Sequence, residues 1–223
     1  GSSAASSVAA AVATATAMGL GVDRVDLLDA TREGERLATG VAHPDNVAPS
    51  LLGGLVACVV RQGEQIDAMG LPVASGIVMV TVSPDFQIPT EASRAVMPNS
   101  YSLQDVVANV SRVAGLVAGF ASGDLERIGG CLEDRIATPY RRGLIPGFDE
   151  VMESARAAGA AGGGISGAGP ALFAVTDDRE RGARVAAAMV DAFKRVGIGS
   201  VARVSGIDAQ GARVVSADWK QAG

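Results

Sequence analysis

The chain of 223 residues carries a formal net charge of −5, with 48% hydrophobic and 19% charged residues. That composition builds a core and excludes a disordered chain, and a pI near 4.9 leaves no electrostatic footprint for nucleic acid. Neither of the two lysines, Lys194 and Lys220, follows a glycine, which excludes a Walker-type loop, and one histidine with two distant cysteines, Cys58 and Cys131, excludes a zinc site built from several such ligands.

Ser2–Met18 reads as a helix, because alanine dominates and hydroxyls cluster at its start, where they can cap orphan N–H groups. Gly19 and Gly21 end it. A second helix is predicted over Val25–Thr39, with Val25, Leu28 and Leu37 near helical spacing, followed by a short polar loop at Ala42–Asn46. Leu55–Val60 and Ile77–Val82 are β-branched runs that predict strands on either side of a turn-rich segment. Gln87–Pro98 is mixed in character.

Leu103–Phe120 predicts a strong helix with Val106, Val110, Val113, Ala114 and Val117 on one face. Leu125–Ile136 predicts another, and Tyr140–Pro146 a basic loop. Phe148–Ala158 returns to helix and leads into a glycine-rich loop that reaches Pro170. Leu172–Thr176, Val201–Ser205 and Ala212–Ser216 predict strands, with a helix over Arg179–Val196. Helices mixed with separate strands, without regular alternation, predict an α+β fold.

The alanine-rich stretch Val8–Val22 is too short and too weakly apolar for a membrane span and lacks the charged start of a signal peptide. Two thiols with no other disulfide signature suit a reducing cytoplasm, where both are expected to be buried apolar residues. The chain opens at Gly1 inside a Gly-Ser motif, which reads as a fragment whose beginning is missing.

Three motifs carry chemistry. Gly1-Ser2-Ser3-Ala4-Ala5-Ser6-Ser7 opens a helix with small residues, leaving backbone N–H groups free to meet an anion; an ordinary N-cap explains the same residues. Gly162-Gly163-Gly164-Ile165-Ser166-Gly167 matches the G-x-G-x-x-G spelling, but a helix precedes it and Pro170 follows, so the dinucleotide reading fails. Ala168 likewise breaks the G-x-S-x-G nucleophile elbow. His43 stands in a loop with Pro44, Asp45 and Asn46, and Arg94 and Arg141 occupy loops or helix ends where a guanidinium fork can hold a carboxylate, although a solvated side chain explains each of the three taken alone.

Taken together, these segments resemble the GHMP kinase superfamily and, within it, the homoserine kinases. Gly1-Ser2-Ser3-Ala4-Ala5-Ser6 is similar to the end of the superfamily's phosphate loop, without the Pro-x-Gly-x-Gly-Leu that leads into it. Gly164-Ile165-Ser166-Gly167-Ala168-Gly169-Pro170 resembles its later glycine motif. His43-Pro44-Asp45-Asn46-Val47-Ala48-Pro49 with Leu52-Gly53-Gly54, and Leu144-Ile145-Pro146-Gly147-Phe148, carry the narrower assignment.

The resemblance implies ATP-dependent phosphorylation of the L-homoserine hydroxyl, a step toward threonine, in a cytoplasmic homodimer. It also implies an incomplete ribosomal-S5-like N-terminal domain over 1–75 and a ferredoxin-like C-terminal domain over 76–223. Gly1, Ser2, Ser3, Ala4 and Ala5 would bind ATP, and Ser3 with Glu35, eight residues before His43, would hold Mg²⁺. His43, Asp45, Asn46, Arg94 and Arg141 would bind the substrate, the arginines through its carboxylate, and Asn46 and Ser3 are the candidate catalytic residues. Gly164, Ser166, Gly167 and Gly169 would form the loop that supports the phosphate loop and closes the site.

A chain beginning inside the phosphate loop is expected to be weakly active or inactive alone, and to expose sheet edges. The other readings are a kinase for another small alcohol, of mevalonate or shikimate type, and a catalytically silent association module.

Overall fold

The computed structural model describes residues 1–61 and 65–216, so Lys220 lies outside it. The described residues divide into two compact units, one of Gly1–Pro72 with Asp208–Ser216, the other of Val73–Ile207. Asp208–Ser216 thus belongs with the chain's beginning, whereas the division at residue 75 assigned it to the second domain.

The first unit packs three helices, α1 (Ser2–Ala17), α2 (Leu28–Thr39) and α3 (Pro44–Leu52), on a hairpin of β1 (Leu55–Val60) and β2 (Ile66–Leu71). The strands are antiparallel, with Leu55 opposite Leu71 and Val60 opposite Ile66. Ala4, Val8, Leu28, Val47, Ala48 and Leu51 form its buried core, with Val56, Cys58, Ile66 and Ala68 packed against them. The predicted helix from Val25 begins as a 3-10 turn, Arg24–Leu27, and of its expected apolar face only Leu28 is buried, while Leu37 is 93% exposed. The inner side of α2 is instead polar, with buried Thr31 and Glu35. The turn-rich segment contains β2, and the polar loop ends at His43, because Pro44 starts α3 at the first helical position, where its missing N–H costs nothing.

Ala212–Ser216 is not a strand. A strand needs a ladder; Ala212 N–H donates to the Leu51 carbonyl at 3.2 Å, and no ladder forms along this stretch among the described residues. The segment is clipped through glycines: Gly54 N–H donates to the Asp208 carbonyl at 2.7 Å, and a Cβ on Gly53 would stand 2.4 Å from Gly211 N.

The second unit contains β3 (Val78–Pro84), α4 (Thr90–Ala95), α5 (Leu103–Ser122), α6 (Leu125–Cys131), α7 (Thr138–Arg141) and α8 (Phe148–Ala157). β4 (Gly162–Ile165), β5 (Leu172–Thr176), α9 (Arg179–Arg195) and β6 (Ser200–Gly206) complete it. Its sheet order is β4-β5-β3-β6, with every neighbouring pair antiparallel. Numbering these four strands in chain order gives 2-3-1-4, the split βαβ arrangement of ferredoxin-like domains, as the resemblance implies. Val80, Val82, Leu172 and Ala174 of the sheet interlock with Val151 and Met152 of α8 and Val185, Met189 and Phe193 of α9. Each of these larger side chains contributes about 1.5–3 kcal/mol by leaving water.

Three predicted elements change here. The mixed segment yields α4, the basic loop is one α-turn followed by a 3-10 turn at Arg142–Leu144, and the helix from Leu125 stops at Cys131. α5 forms as expected, but most of its predicted apolar face turns outward: Val106, Val110 and Val113 are 39%, 65% and 59% exposed, Ala114 is exposed, and Val117 is half-buried. The contact side of α5 is set by glycine, since a Cβ on Gly115 would meet Cys131 Sγ at 2.4 Å and one on Gly119 would meet Ile128 at 2.9 Å.

Candidate functional site

The start of α1 is an anion-ready helix end, with Gly1 as N-cap and no side-chain cap. The first-turn N–H groups have no intrahelical acceptors and carry the positive end of the macrodipole. The serines do not cap, contrary to the sequence expectation; they bind α2. Ser3 Oγ donates to Glu35 Oε1 at 3.1 Å, and one turn on, Ser7 Oγ donates to the Thr31 carbonyl at 2.6 Å. Gly34 makes this approach possible, because a Cβ there would stand 2.1 Å from Ser7 Oγ and 3.0 Å from Ser7 Cβ. Glu35 is buried at 6% exposure, so its carboxylate is held at the head of α1 rather than in solvent. Ala4 is fully buried, which leaves only its backbone for a ligand, whereas Gly1, Ser2 and Ala5 are exposed.

α3 brings a second helix start to the same place. His43 is its N-cap in extended conformation, without a side-chain cap bond. His43, Asp45 and Asn46 are exposed, and Val47, Ala48 and Leu51 anchor the helix in the core. A Cβ built on Gly1 would lie 3.9 Å from Asn46 Oδ1, so Asn46 adjoins the first residue of the Gly1–Ser7 motif. Beneath them the Cys58 thiol donates to the Pro44 carbonyl at 3.8 Å. Burial, then the Asp45 charge, pushes this thiol up against an opposing pull from Arg32, so Cys58 is no poised thiolate. Both cysteines are free and half-buried rather than fully buried.

The second unit assembles the arginines and the glycine motif. Gly164 lies in β4 rather than in the loop, which narrows to Ser166–Pro170. Ser166 N–H donates to the Ala171 carbonyl at 2.8 Å and Gly169 N–H to the Ser166 carbonyl at 3.1 Å, closing a tight turn. Gly167 and Gly169 have φ of 61° and 86°, a region that favours glycine. Arg141 Nε donates to the Ser93 carbonyl at 3.3 Å and its Nη1 to the Gly167 carbonyl at 3.2 Å. Arg94, the residue after Ser93 on α4, is exposed.

Sequence reasoning missed Thr31, Gly34, Ser93 and Asp134, and read Ser7 as part of the helix cap rather than as a donor to α2. Asp134 builds the turn that leads to Arg141: it accepts from Asn109 Nδ2 at 3.0 Å and from the N–H groups of Ile136 and Thr138 at 2.8 and 2.7 Å. Burial pushes its carboxyl up, but these donors outweigh it and hold the carboxyl below the usual carboxylate range. The one available signal was Gly34, a glycine inside a helical pattern, which marks a close approach.

Ser3 and Glu35 supply an alcohol and a carboxylate oxygen side by side. That donor set fits Mg²⁺, which takes one or two protein oxygens together with phosphates rather than an all-protein cage. Among the described residues no three His, Cys, Asp or Glu side chains form such a cage.

Two family models match, the GHMP kinases N terminal domain over residues 1–54 and the GHMP kinases C terminal model over residues 116–195. The chain is 42% identical over 200 residues to homoserine kinase of Halorubrum lacusprofundi, covering 90% of this chain and 66% of that protein. It is 38% identical over 217 residues to homoserine kinase of Chlorobium phaeobacteroides, covering 96% and 67%. The crystal structure of homoserine kinase from Cytophaga hutchinsonii superposes with a TM-score of 0.88 at 40% identity, covering 93% of this chain and 65% of that one. The chain spans about two thirds of the length of these relatives. It belongs to the GHMP kinases, and among them to the homoserine kinase family.

Proposed function

We propose that the protein transfers the γ-phosphoryl group of ATP to the side-chain hydroxyl of L-homoserine, giving O-phospho-L-homoserine for threonine biosynthesis in the cytoplasm. The observation that carries this reading is the Ser3–Glu35 hydrogen bond at the head of α1, beside Asn46. The N–H groups of Ser2, Ser3 and Ala4 at the start of α1 donate to phosphate oxygens, with Gly1 and Ala5 beside them; the Ala5 N–H is already given to the Gly1 carbonyl at 2.9 Å. Ser3 and Glu35 hold Mg²⁺, which when bound neutralises charge on the phosphates.

Asn46 orients the hydroxyl, with His43 and Asp45 beside it. The hydroxyl oxygen bonds to the γ-phosphorus, the bond to the ADP oxygen breaks, and the proton passes to solvent. Positioning and charge, rather than a strong base, supply the rate. Arg94 and Arg141 hold the substrate carboxylate, and Ser166–Gly169 forms the glycine loop. A homodimer, as the resemblance implies, is supported by the exposed apolar stripe of α5, area that a second copy would cover.

Calorimetry tests the assignment. Mg²⁺-dependent ADP binding that Ser3→Ala and Glu35→Gln both weaken, together with L-homoserine binding that mevalonate and shikimate do not reproduce, is the expected result. ADP binding indifferent to Mg²⁺ and to both substitutions would remove the metal assignment.

A further inference from the structure

Ser93 has no part in the roles above, yet it is fully buried, and its hydroxyl donates to the Ala168 carbonyl at 2.7 Å. Its own carbonyl accepts from Arg141 Nε, and Arg141 Nη1 takes the neighbouring Gly167 carbonyl. These three bonds close a ring from α4, through α7, to the glycine loop. Two consecutive loop carbonyls are therefore fixed, and with them two peptide planes, since each trans peptide turns as one rigid unit. The ring acts where the loop is otherwise free to swivel, at Gly167 and Gly169, both at positive φ.

We propose that Ser93 and Arg141 are positioning residues of the glycine loop, and that Arg141 couples carboxylate binding to loop order. The second half of the inference rests on the kinase reading above. Arg141 is not a free fork awaiting a carboxylate: Nε and Nη1 already orient its guanidinium plane, leaving Nη2 to meet a ligand. A carboxylate bound there restrains the same guanidinium that restrains Gly167. Ser93 sets the distance, because its carbonyl and hydroxyl face the two sides of the ring.

Amide hydrogen exchange of the ligand-free protein, read on peptides spanning 162–171, tests the ring directly. Ser93→Ala leaves the Ala168 carbonyl without its donor. Arg141→Lys keeps the charge but cannot bridge two carbonyls in a fixed plane. Each is expected to speed loop exchange about tenfold, with α9 peptides unchanged. Adding L-homoserine is expected to slow loop exchange in the parent protein and to lose that effect in Ser93→Ala, which removes no group that touches the substrate.

Should Ser93→Ala not fold, Arg141→Lys carries the test alone, because its side chain is only half-buried. Parental loop exchange in both folded variants would overturn the inference. Faster exchange in the variants, with L-homoserine inert toward the parent, would uphold the ring and defeat the substrate reading with its coupling.

Discussion

The head of α1 and the glycine loop are both small-residue segments, but they are held by different physics. At α1, two helices touch almost backbone to backbone, and the Ser3–Glu35 pair is a by-product of the spacing that Gly34 and Ser7 set. At the loop, carbonyls are caught by side-chain donors, Ser93 and Arg141. A steric gauge fails abruptly with one added methyl, because interiors do not yield. A polar ring loosens in steps, one hydrogen bond at a time. The same residue type, glycine, therefore means close approach in one place and positive φ in the other.

Removing the group that the gauge presents gives the largest expected effect. Glu35→Gln should weaken Mg²⁺-dependent ADP binding by about 100-fold while leaving the thermal midpoint nearly unchanged, as calorimetry and a melting curve would show. A stoichiometric, undiminished Mg²⁺ effect would detach Glu35 from the metal. Asn46→Ala should lower turnover by about 100-fold, since misplacing the hydroxyl costs that much; unchanged turnover would sink its positioning role.

The gauge itself breaks with Gly34→Ala. In a helix open to solvent this exchange stabilises by about 1 kcal/mol. Here the sign should reverse to a loss of about 2 kcal/mol by denaturant unfolding, because Ser7 Oγ is tied to Thr31 and cannot swing aside without losing that bond. Adding Ser7→Gly should recover part of the loss. A stabilised Gly34→Ala would show that the helices have room.

Asp134 sharpens the other side of the comparison with the smallest effect. Its carboxyl is lowered in the folded protein, so its contribution is full above the ordinary carboxylate value near 3.8 and fades as pH falls through the lowered one. Asp134→Asn should cost about 1 kcal/mol at neutral pH and remove that part of the acid sensitivity. Unfolding curves of parent and variant at pH 7 and in acid would show it, and parallel losses at both would contradict it.

Residue chemistry was legible where it is local. Pro44 marks a break by its type alone, which the structure makes the start of α3, and the apolar run Leu172–Thr176 marks a strand, whereas the ferredoxin-like order came from the family resemblance. What escaped depends on partners far along the chain. The serines of α1 spell a capping sequence, yet their hydroxyls find acceptors on α2, 24 and 32 residues away. Most valines of α5 have helical period but face outward, because Gly115 and Gly119 offer α6 a closer contact than any apolar side chain. Ala212–Ser216 has strand composition without a ladder, and composition alone makes no strand. Arg141 was legible as a fork, but its two carbonyl acceptors, Ser93 and Gly167, lie 48 and 26 residues away.

Label transfer from γ-³²P-ATP, with L-homoserine, mevalonate and shikimate offered separately in the presence of Mg²⁺, tests the central claim most directly, since it registers turnover at any rate above background. Labelled O-phospho-L-homoserine, with the other two alcohols left unlabelled and the signal lost in Glu35→Gln, is the result this account predicts. Label on mevalonate or shikimate, or label on L-homoserine that survives Glu35→Gln, would contradict it.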